Sequence, residues 1–258
     1  VIEWYENNSG SWVRHVIGSP RAHDIELADL DLDGDLDVVT RDQGPDGVRV
    51  VVWRHAGANV WQQRLVEGLE QGEGLTVGEI NGDGRPDVVV PSGWFAPPSD
   101  LVAGAWVKQV FASGVYSQAV LKVADLDADG RSDIVFTPAE GQDATRWYRA
   151  PSDPVAGTWE NRLIDVPVQF THSLMVADFD SDGRLDVVTA EMHQSEGADE
   201  IRLYLSRNGA ASWDVRVIAT TGSHNMAAAD FDGDGDLFGA NWSGPYQPVE
   251  LWVNLSVP

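Results

Sequence analysis

Asp29-Leu-Asp-Leu-Asp-Gly-Asp-Leu-Asp37 sets a carboxylate at every odd position of nine residues, with a glycine at the sixth. Four further copies follow: Glu79-Ile-Asn-Gly-Asp-Gly-Arg-Pro-Asp87, Asp125-Leu-Asp-Ala-Asp-Gly-Arg-Ser-Asp133, Asp178-Phe-Asp-Ser-Asp-Gly-Arg-Leu-Asp186 and Asp230-Phe-Asp-Gly-Asp-Gly-Asp-Leu-Phe238. Oxygen donors at alternating positions, turned by a glycine, suit a hard divalent cation that accepts many oxygens at adaptable geometry. A second candidate set appears on counting back six residues from each copy: His23, Glu73, Ala119, His172 and His224. Imidazoles with a carboxylate suit zinc or another transition metal, which would polarise a substrate oxygen or activate water. Two other readings of that set stay open: a ring of polar groups for a ligand, and packing inherited by duplication.

The starts of the acidic segments lie 50, 46, 53 and 52 residues apart, the period of an array, solenoid or propeller. A short β-branched or small-residue strand stands on each side of every segment, as in Leu121–Ala124 and Ile134–Phe136. A pair of aromatic strands joined by a turn comes next, and no stretch carries a helical period. Four strands per repeat predict an all-β chain, a β-propeller of four-stranded antiparallel blades forming one domain over residues 1–258. Five innermost strands give five blades, or six or seven if the chain is a fragment. The N-terminal strand Trp12–Ile17 is expected to close the ring beside Val249–Asn254, leaving one third-strand segment over. Ten of the 11 tryptophans, Trp12 among them, recur at third- and fourth-strand positions and are read as packing between blades; Trp242 has no repeat equivalent.

The repeated D-x-D-x-D-G-x-x-D blade resembles the FG-GAP/VCBS repeat of integrin-like propellers. The resemblance implies a propeller with calcium in the loop between the first and second strands. Its members serve as lectins, adhesion modules, polysaccharide lyases and sugar dehydratases, so fold alone does not choose among these. The expected side-chain ligands are Asp29, Asp31, Asp33 and Asp37; Glu79, Asn81, Asp83 and Asp87; Asp125, Asp127, Asp129 and Asp133; Asp178, Asp180, Asp182 and Asp186; and Asp230, Asp232 and Asp234. Position seven adds a backbone carbonyl, and four to five sites are expected. The fifth is the weakest, because Phe238 falls where the closing aspartate is expected.

Strands in a blade alternate direction, so first-strand starts and second-strand ends share the face opposite these loops. That face gathers the His23, Glu73, His172 and His224 set near the axis. It also receives Arg41, Asp42, Ser92, Glu140, Glu191, His193, Asn241 and Trp242. A tryptophan beside Asn, Arg and carboxylates suits a sugar, its ring stacking on the pyranose and the polar groups taking the hydroxyls. Arg41, Asp42, Asn241 and Trp242 are the candidate substrate-binding residues, and Glu191 or His193 the candidate general base.

The net charge of -24 disfavours nucleic acid and anionic lipid as partners, and 20 of the 41 acidic residues lie inside the five segments. With no cysteine, thiol catalysis and disulfides are excluded. No apolar run reaches membrane-spanning length and no leader peptide is present, so membrane insertion is not expected. Weak calcium loops fill outside the cell, which favours a secreted or periplasmic protein. Phosphate-binding loops, H-E-x-x-H and G-x-S-x-G are absent. The leading expectation is therefore a calcium-stabilised propeller acting on carbohydrate as a metal-assisted carbon–oxygen lyase or sugar dehydratase. A non-catalytic lectin comes second, and a protein-interaction or adhesion module third.

Overall fold

The computed structural model describes residues 1–44, 47–70, 72–230, 235–244 and 249–255. They form two compact units, residues 1–117 and 118–258, and every regular element described is a strand. The first unit contains β1 (Ile2–Asn8), β2 (Ser11–Gly18), β3 (Ala22–Ala28), β4 (Asp37–Gly44), β5 (Gly47–His55), β6 (Trp61–Glu70), β7 (Thr76–Gly78), β8 (Asp87–Val90), β9 (Gly93–Ala96) and β10 (Val107–Gln109). The second contains β11 (Ala119–Ala124), β12 (Asp133–Pro138), β13 (Gln142–Arg149), β14 (Glu160–Gln169), β15 (Ser173–Ala177), β16 (Asp186–Ala190), β17 (Ile201–Arg207), β18 (Ser212–Ala219), β19 (Asn225–Asp230), β20 (Gly235–Ala240) and β21 (Val249–Trp252). Among the described residues no helix is long and apolar enough to cross a membrane.

Four sheets run β3-β4-β5-β6, β7-β8-β9-β10, β11-β12-β13-β14 and β15-β16-β17-β18, each antiparallel between neighbours. They are the up-and-down blades of a β-propeller. A fifth blade, β19-β20-β21, shows three strands among the described residues, so the five innermost strands are β3, β7, β11, β15 and β19. The strand expected to complete a blade, Trp12–Ile17, lies in β2, which pairs along its length with β1 as a two-stranded sheet. A tight turn sets that pairing: Ser9 and Gly10 take φ of 52° and 94°, the left-handed pair that a two-residue hairpin requires. The third-strand segment left over in the sequence is thus β1, and Trp12 of β2 is 66% exposed rather than packed between blades.

The second strand of each of the first four blades is the buried one. Val88, Val89 and Val90 of β8 and Ile134 and Val135 of β12 are wholly inaccessible, as the unbroken apolar runs suggest. The second residue of each of the first four acidic segments plugs the core: Leu30, Ile80, Leu126 and Phe179 are all buried. Each such side chain contributes roughly 1.5–3 kcal/mol by leaving water. Trp53, Trp94, Trp147 and Trp159 are buried as expected of packing residues.

Blades two and three share a further device, Pro98-Ser-Asp-Leu-Val-Ala-Gly-Ala-Trp106 and Pro151-Ser-Asp-Pro-Val-Ala-Gly-Thr-Trp159, between their third and fourth strands. The Asp100 carboxylate accepts from the N–H groups of Val102 and Ala103, and Trp106 Nε1 donates to the Leu101 carbonyl at 3.0 Å. Asp153 and Trp159 repeat those bonds with Val155, Ala156 and Pro154. A Cβ on Gly104 or Gly157 would stand 2.5 or 2.6 Å from the carbonyl oxygen of Asp100 or Asp153, so no larger residue fits.

Candidate functional site

The acidic loops are built around two aspartates with different duties. The first residue of the loop accepts two successive backbone donors: Asp33 and Gly34 onto Asp29, Asp129 and Gly130 onto Asp125, Asp182 and Gly183 onto Asp178. Left-handed backbone at positions four and six presents those N–H groups, with φ of 59°, 59° and 56° at Leu32, Ala128 and Ser181. Non-glycine residues adopt that region at a cost, here set against the charge-assisted bonds.

The last residue is a tether. Asp37, Asp133 and Asp186 are fully buried. One oxygen accepts from the second loop residue, Leu30, Leu126 or Phe179, at 3.0–3.1 Å. The other accepts from the end of the third strand, His55, Ala150 or Ser206, at 2.8 Å. One carboxylate therefore fixes three strands in register. Burial and the neighbouring carboxylates push Asp37 up to about 6 and Asp133 to about 7, and Asp186 upward as well.

The second loop keeps half of this tether. Ile80 donates to Asp87 Oδ2 at 2.8 Å, while Asp87 Oδ1 is buried with no partner among the described residues. The residue that would donate is Pro97, which has no N–H. Burial pushes Asp87 up to about 7.

The fifth loop corrects the sequence alignment. Ala229 pairs with Asp236, where Ala28 pairs with Asp37 and Ala124 with Asp133. The loop is thus two residues shorter than the first four, and Asp236 takes the tether position. It is fully buried and accepts from Asn254 N at 2.8 Å. Phe238 lies within β20, opposite Ala227, and not at the closing position. The expected ligands Asp232 and Asp234 lie outside the described residues, and Asp230 ends β19.

Three loops gather oxygens closely enough for one ion. Asp29, Asp31 and Asp33, then Asp125, Asp127 and Asp133, then Asp178, Asp180 and Asp186 each offer ligand atoms within 4.8 Å of one another. In the second loop Asn81 stands in for a carboxylate, Glu79 accepts from Gly82 N, and Asn81 and Asp83 bond to each other.

The other candidate residues are contributed by both units. In the first unit His23 meets Glu73 at 3.1 Å through Nε2 and Asp24 at 3.2 Å through Nδ1. Arg41 is buried and donates to the Gly74 carbonyl at 2.7 Å, and Gly74 N donates to Asp24. Asp42 is buried, and burial raises its pKa. Arg41 thus supports the Gly74 loop from within.

In the second unit the rings of His172 and His224 stack with centroids 3.9 Å apart. Trp242, 65% exposed, makes T-shaped contacts with His224 at 5.9 Å and His193 at 5.7 Å. His193 Nε2 bonds to Ser243 Oγ at 2.6 Å. Ser243 was not singled out by the sequence, where one serine beside one tryptophan carries no signal. Asn241 is anchored through Nδ2 to the Thr221 carbonyl, and its Oδ1 is buried with no partner among the described residues. Glu191 is buried; it accepts from Glu200 N at 3.2 Å and lies 3.3 Å from Arg202. Burial raises its pKa. It braces the second-strand end, and His193 two residues on is the group that reaches the tryptophan.

The geometry agrees with the comparison to known families. The FG-GAP-like repeat matches residues 29–90, 125–189 and 178–237, more than half of the chain and inclusive of every tether aspartate. No curated protein matches the chain. The third match ends one residue beyond Asp236, in keeping with the shortened fifth loop. By its strand order, its acidic loops and this match, the chain belongs to the FG-GAP-like repeat family.

Proposed function

We propose that this protein is a calcium-stabilised β-propeller that binds carbohydrate through the Trp242 surface of its second unit. The observation that carries the carbohydrate reading is Trp242 itself, 65% exposed and held in T-shaped contact with two imidazoles. An open indole face stacks on the C–H face of a pyranose, and an aromatic with little freedom to rotate loses little entropy on binding. Ser243, next in the chain, adds a hydroxyl that can pair with a sugar hydroxyl.

Calcium fits the donor set. Among the described residues Asp31 Oδ1, Asp127 Oδ1 and Asp180 Oδ1 are buried without a hydrogen-bond partner, the same atom in three loops. A bare anionic oxygen beside other carboxylates is unfavourable unless a cation meets it. These aspartates, with the first, fifth and ninth residues of each loop, would hold the ion, which supplies charge neutralisation and cross-linking of the loop. A secreted or periplasmic setting, where calcium is plentiful, follows from this reading.

A glycan array scored with the native protein and with Trp242→Ala tests the binding surface. Signal lost in the variant, at an unchanged melting temperature, supports the reading; equal signal from both proteins, or none from the native one, defeats it. A second reading, lyase chemistry on acidic polysaccharide, is favoured by His193. Its Nε2 is engaged by Ser243, and its buried Nδ1 has no partner among the described residues. Growth of ultraviolet absorbance from an unsaturated uronide separates it from a lectin, and elemental analysis after exhaustive dialysis reports a transition metal.

A further inference from the structure

We infer that Arg54, Arg149 and Arg207 are fixed counter-cations of the three fully acidic loops, each holding the outer oxygens of two carboxylates and leaving the inner oxygen of the middle aspartate for a divalent ion. The ion-binding half of this rests on the calcium reading above. The arrangement occurs three times. Arg54 donates from Nε to Asp31 Oδ2 at 2.6 Å and from Nη2 to Asp33 Oδ2 at 2.8 Å. Arg149 donates in the same way to Asp127 Oδ2 and Asp129 Oδ2. Arg207 reaches Asp180 Oδ2 at 3.3 Å and Asp182 Oδ2 at 3.1 Å. In all three the other oxygen of the middle aspartate is the bare one. The Asp31 and Asp127 side chains are only 9% and 8% exposed, so water does not solvate that oxygen freely.

The second loop is an internal control. Arg54 and Arg149 each follow the third-strand residue that pairs with the first residue after the tether, Trp53 opposite Val38 and Tyr148 opposite Ile134. In blade two that pair is Phe95 and Val88, and the residue that follows is Ala96. The middle loop residue there is Asn81, so one negative charge and one arginine are missing together. The arginine that this loop does carry, Arg85, points away and donates to the Leu30 and Pro98 carbonyls. Arg131 and Arg184, at the same loop position, instead add a second donor to Asp129 and Asp182.

Two effects of the arginine oppose each other. It orients the carboxylates, which favours the ion, and it places a positive charge one carboxylate away, which repels it. Glutamine in its place retains an N–H donor and most of the orientation but removes the charge. The charge effect therefore decides the sign, at roughly tenfold in affinity for a univalent charge near a divalent ion in a solvated loop. The arginine keeps the loop folded without calcium and sets its affinity in the weak range that extracellular modules use.

Calorimetric calcium titration of R54Q and R149Q, with thermal melts of R54Q/R149Q/R207Q in chelator at low and high salt, tests this. Each single variant is expected to bind one calcium about tenfold more tightly. The triple variant is expected to melt earlier than the native protein without calcium, and by more at low salt, where repulsion is unscreened. Unchanged or weakened calcium binding in the single variants overturns the inference, as does an unchanged calcium-free melt. If the native protein takes up no calcium at millimolar concentration, the calcium reading fails by itself. The counter-cation role then stands or falls on the calcium-free melts.

Discussion

The third and fifth loops solve the same joint with different parts. Asp125–Asp133 closes its turn on Asp125, carries bare Asp127 Oδ1, and is tethered by Asp133 to Leu126 and Ala150. The fifth reaches its tether, Asp236, two residues sooner, and the third-strand bond from Asn254 has the same 2.8 Å length. The joint survives a deletion that alters the ring of candidate ligands. Holding the strands in register therefore does not depend on the nine-residue spacing of the loop.

The largest effect should come from removing tethers. Asp133→Ala and Asp236→Ala are each expected to lose about 3 kcal/mol in urea unfolding, because buried backbone donors lose their acceptor. A fifth-loop variant that unfolds like the native protein would break the comparison, leaving Asp236 a bystander. Next comes the ion. Asp127→Asn should remove one calcium from the stoichiometry and with it about 2.7 kcal/mol of stabilisation at a hundredfold excess over the dissociation constant. Asp236→Asn should leave the stoichiometry alone; an equal loss from both variants would show that the short loop is a full site.

Smaller again is the half-tether of the second loop. Pro97→Ala restores an N–H opposite Asp87 Oδ1 and should stabilise the protein by about 1 kcal/mol, the bond outweighing the added freedom of the unfolded chain. A destabilised variant would mean that the ring of Pro97 contributes more than the missing donor. The least effect concerns a carboxylate outside the loops. Burial raises the Glu191 pKa above its unfolded value, so the folded state binds the proton more tightly. Its contribution is complete at low pH and is lost as pH rises past the ordinary carboxylate range. Glu191→Gln should flatten that part of the stability–pH curve, and an unaltered slope would remove Glu191 from the account.

The blades were legible because their signals are local. Glycine at the sixth loop position, the valine runs of β8 and β12, and the recurring tryptophans each declare a strand or turn by composition. The fifth loop was misaligned because Asp-Gly-Asp-Gly-Asp fits its neighbours equally well after a shift of two. Only the pairing of Ala229 with Asp236 decides between those registers. The partner of β2 was misassigned for a related reason. Trp12–Ile17 has the pattern of any outer strand, and the choice of partner fell to the short Ser9-Gly10 turn. Glu191 and His193 looked alike as candidate bases. Burial beside Arg202 separates them, and no one-dimensional pattern encodes that. The arginines opposite the first and third acidic loops were visible in principle, at matching positions 54 and 149, but their meaning needed the cross-strand register.

The Pro98–Trp106 and Pro151–Trp159 turns have a practical consequence. Each meets its main polar needs internally: the aspartate side chain caps two amides, its carbonyl takes the glycine N–H, and the indole donates five residues back. The ties of the first turn to its surroundings can be named: Leu101 packs in the core, and Arg85 and Arg64 donate to the Pro98 and Gly104 carbonyls, so a graft needs only those to be replaced. The nine-residue cassette can replace the Asn208-Gly209 turn of blade four, and loop length on that side of a blade can be engineered without redesigning the strands.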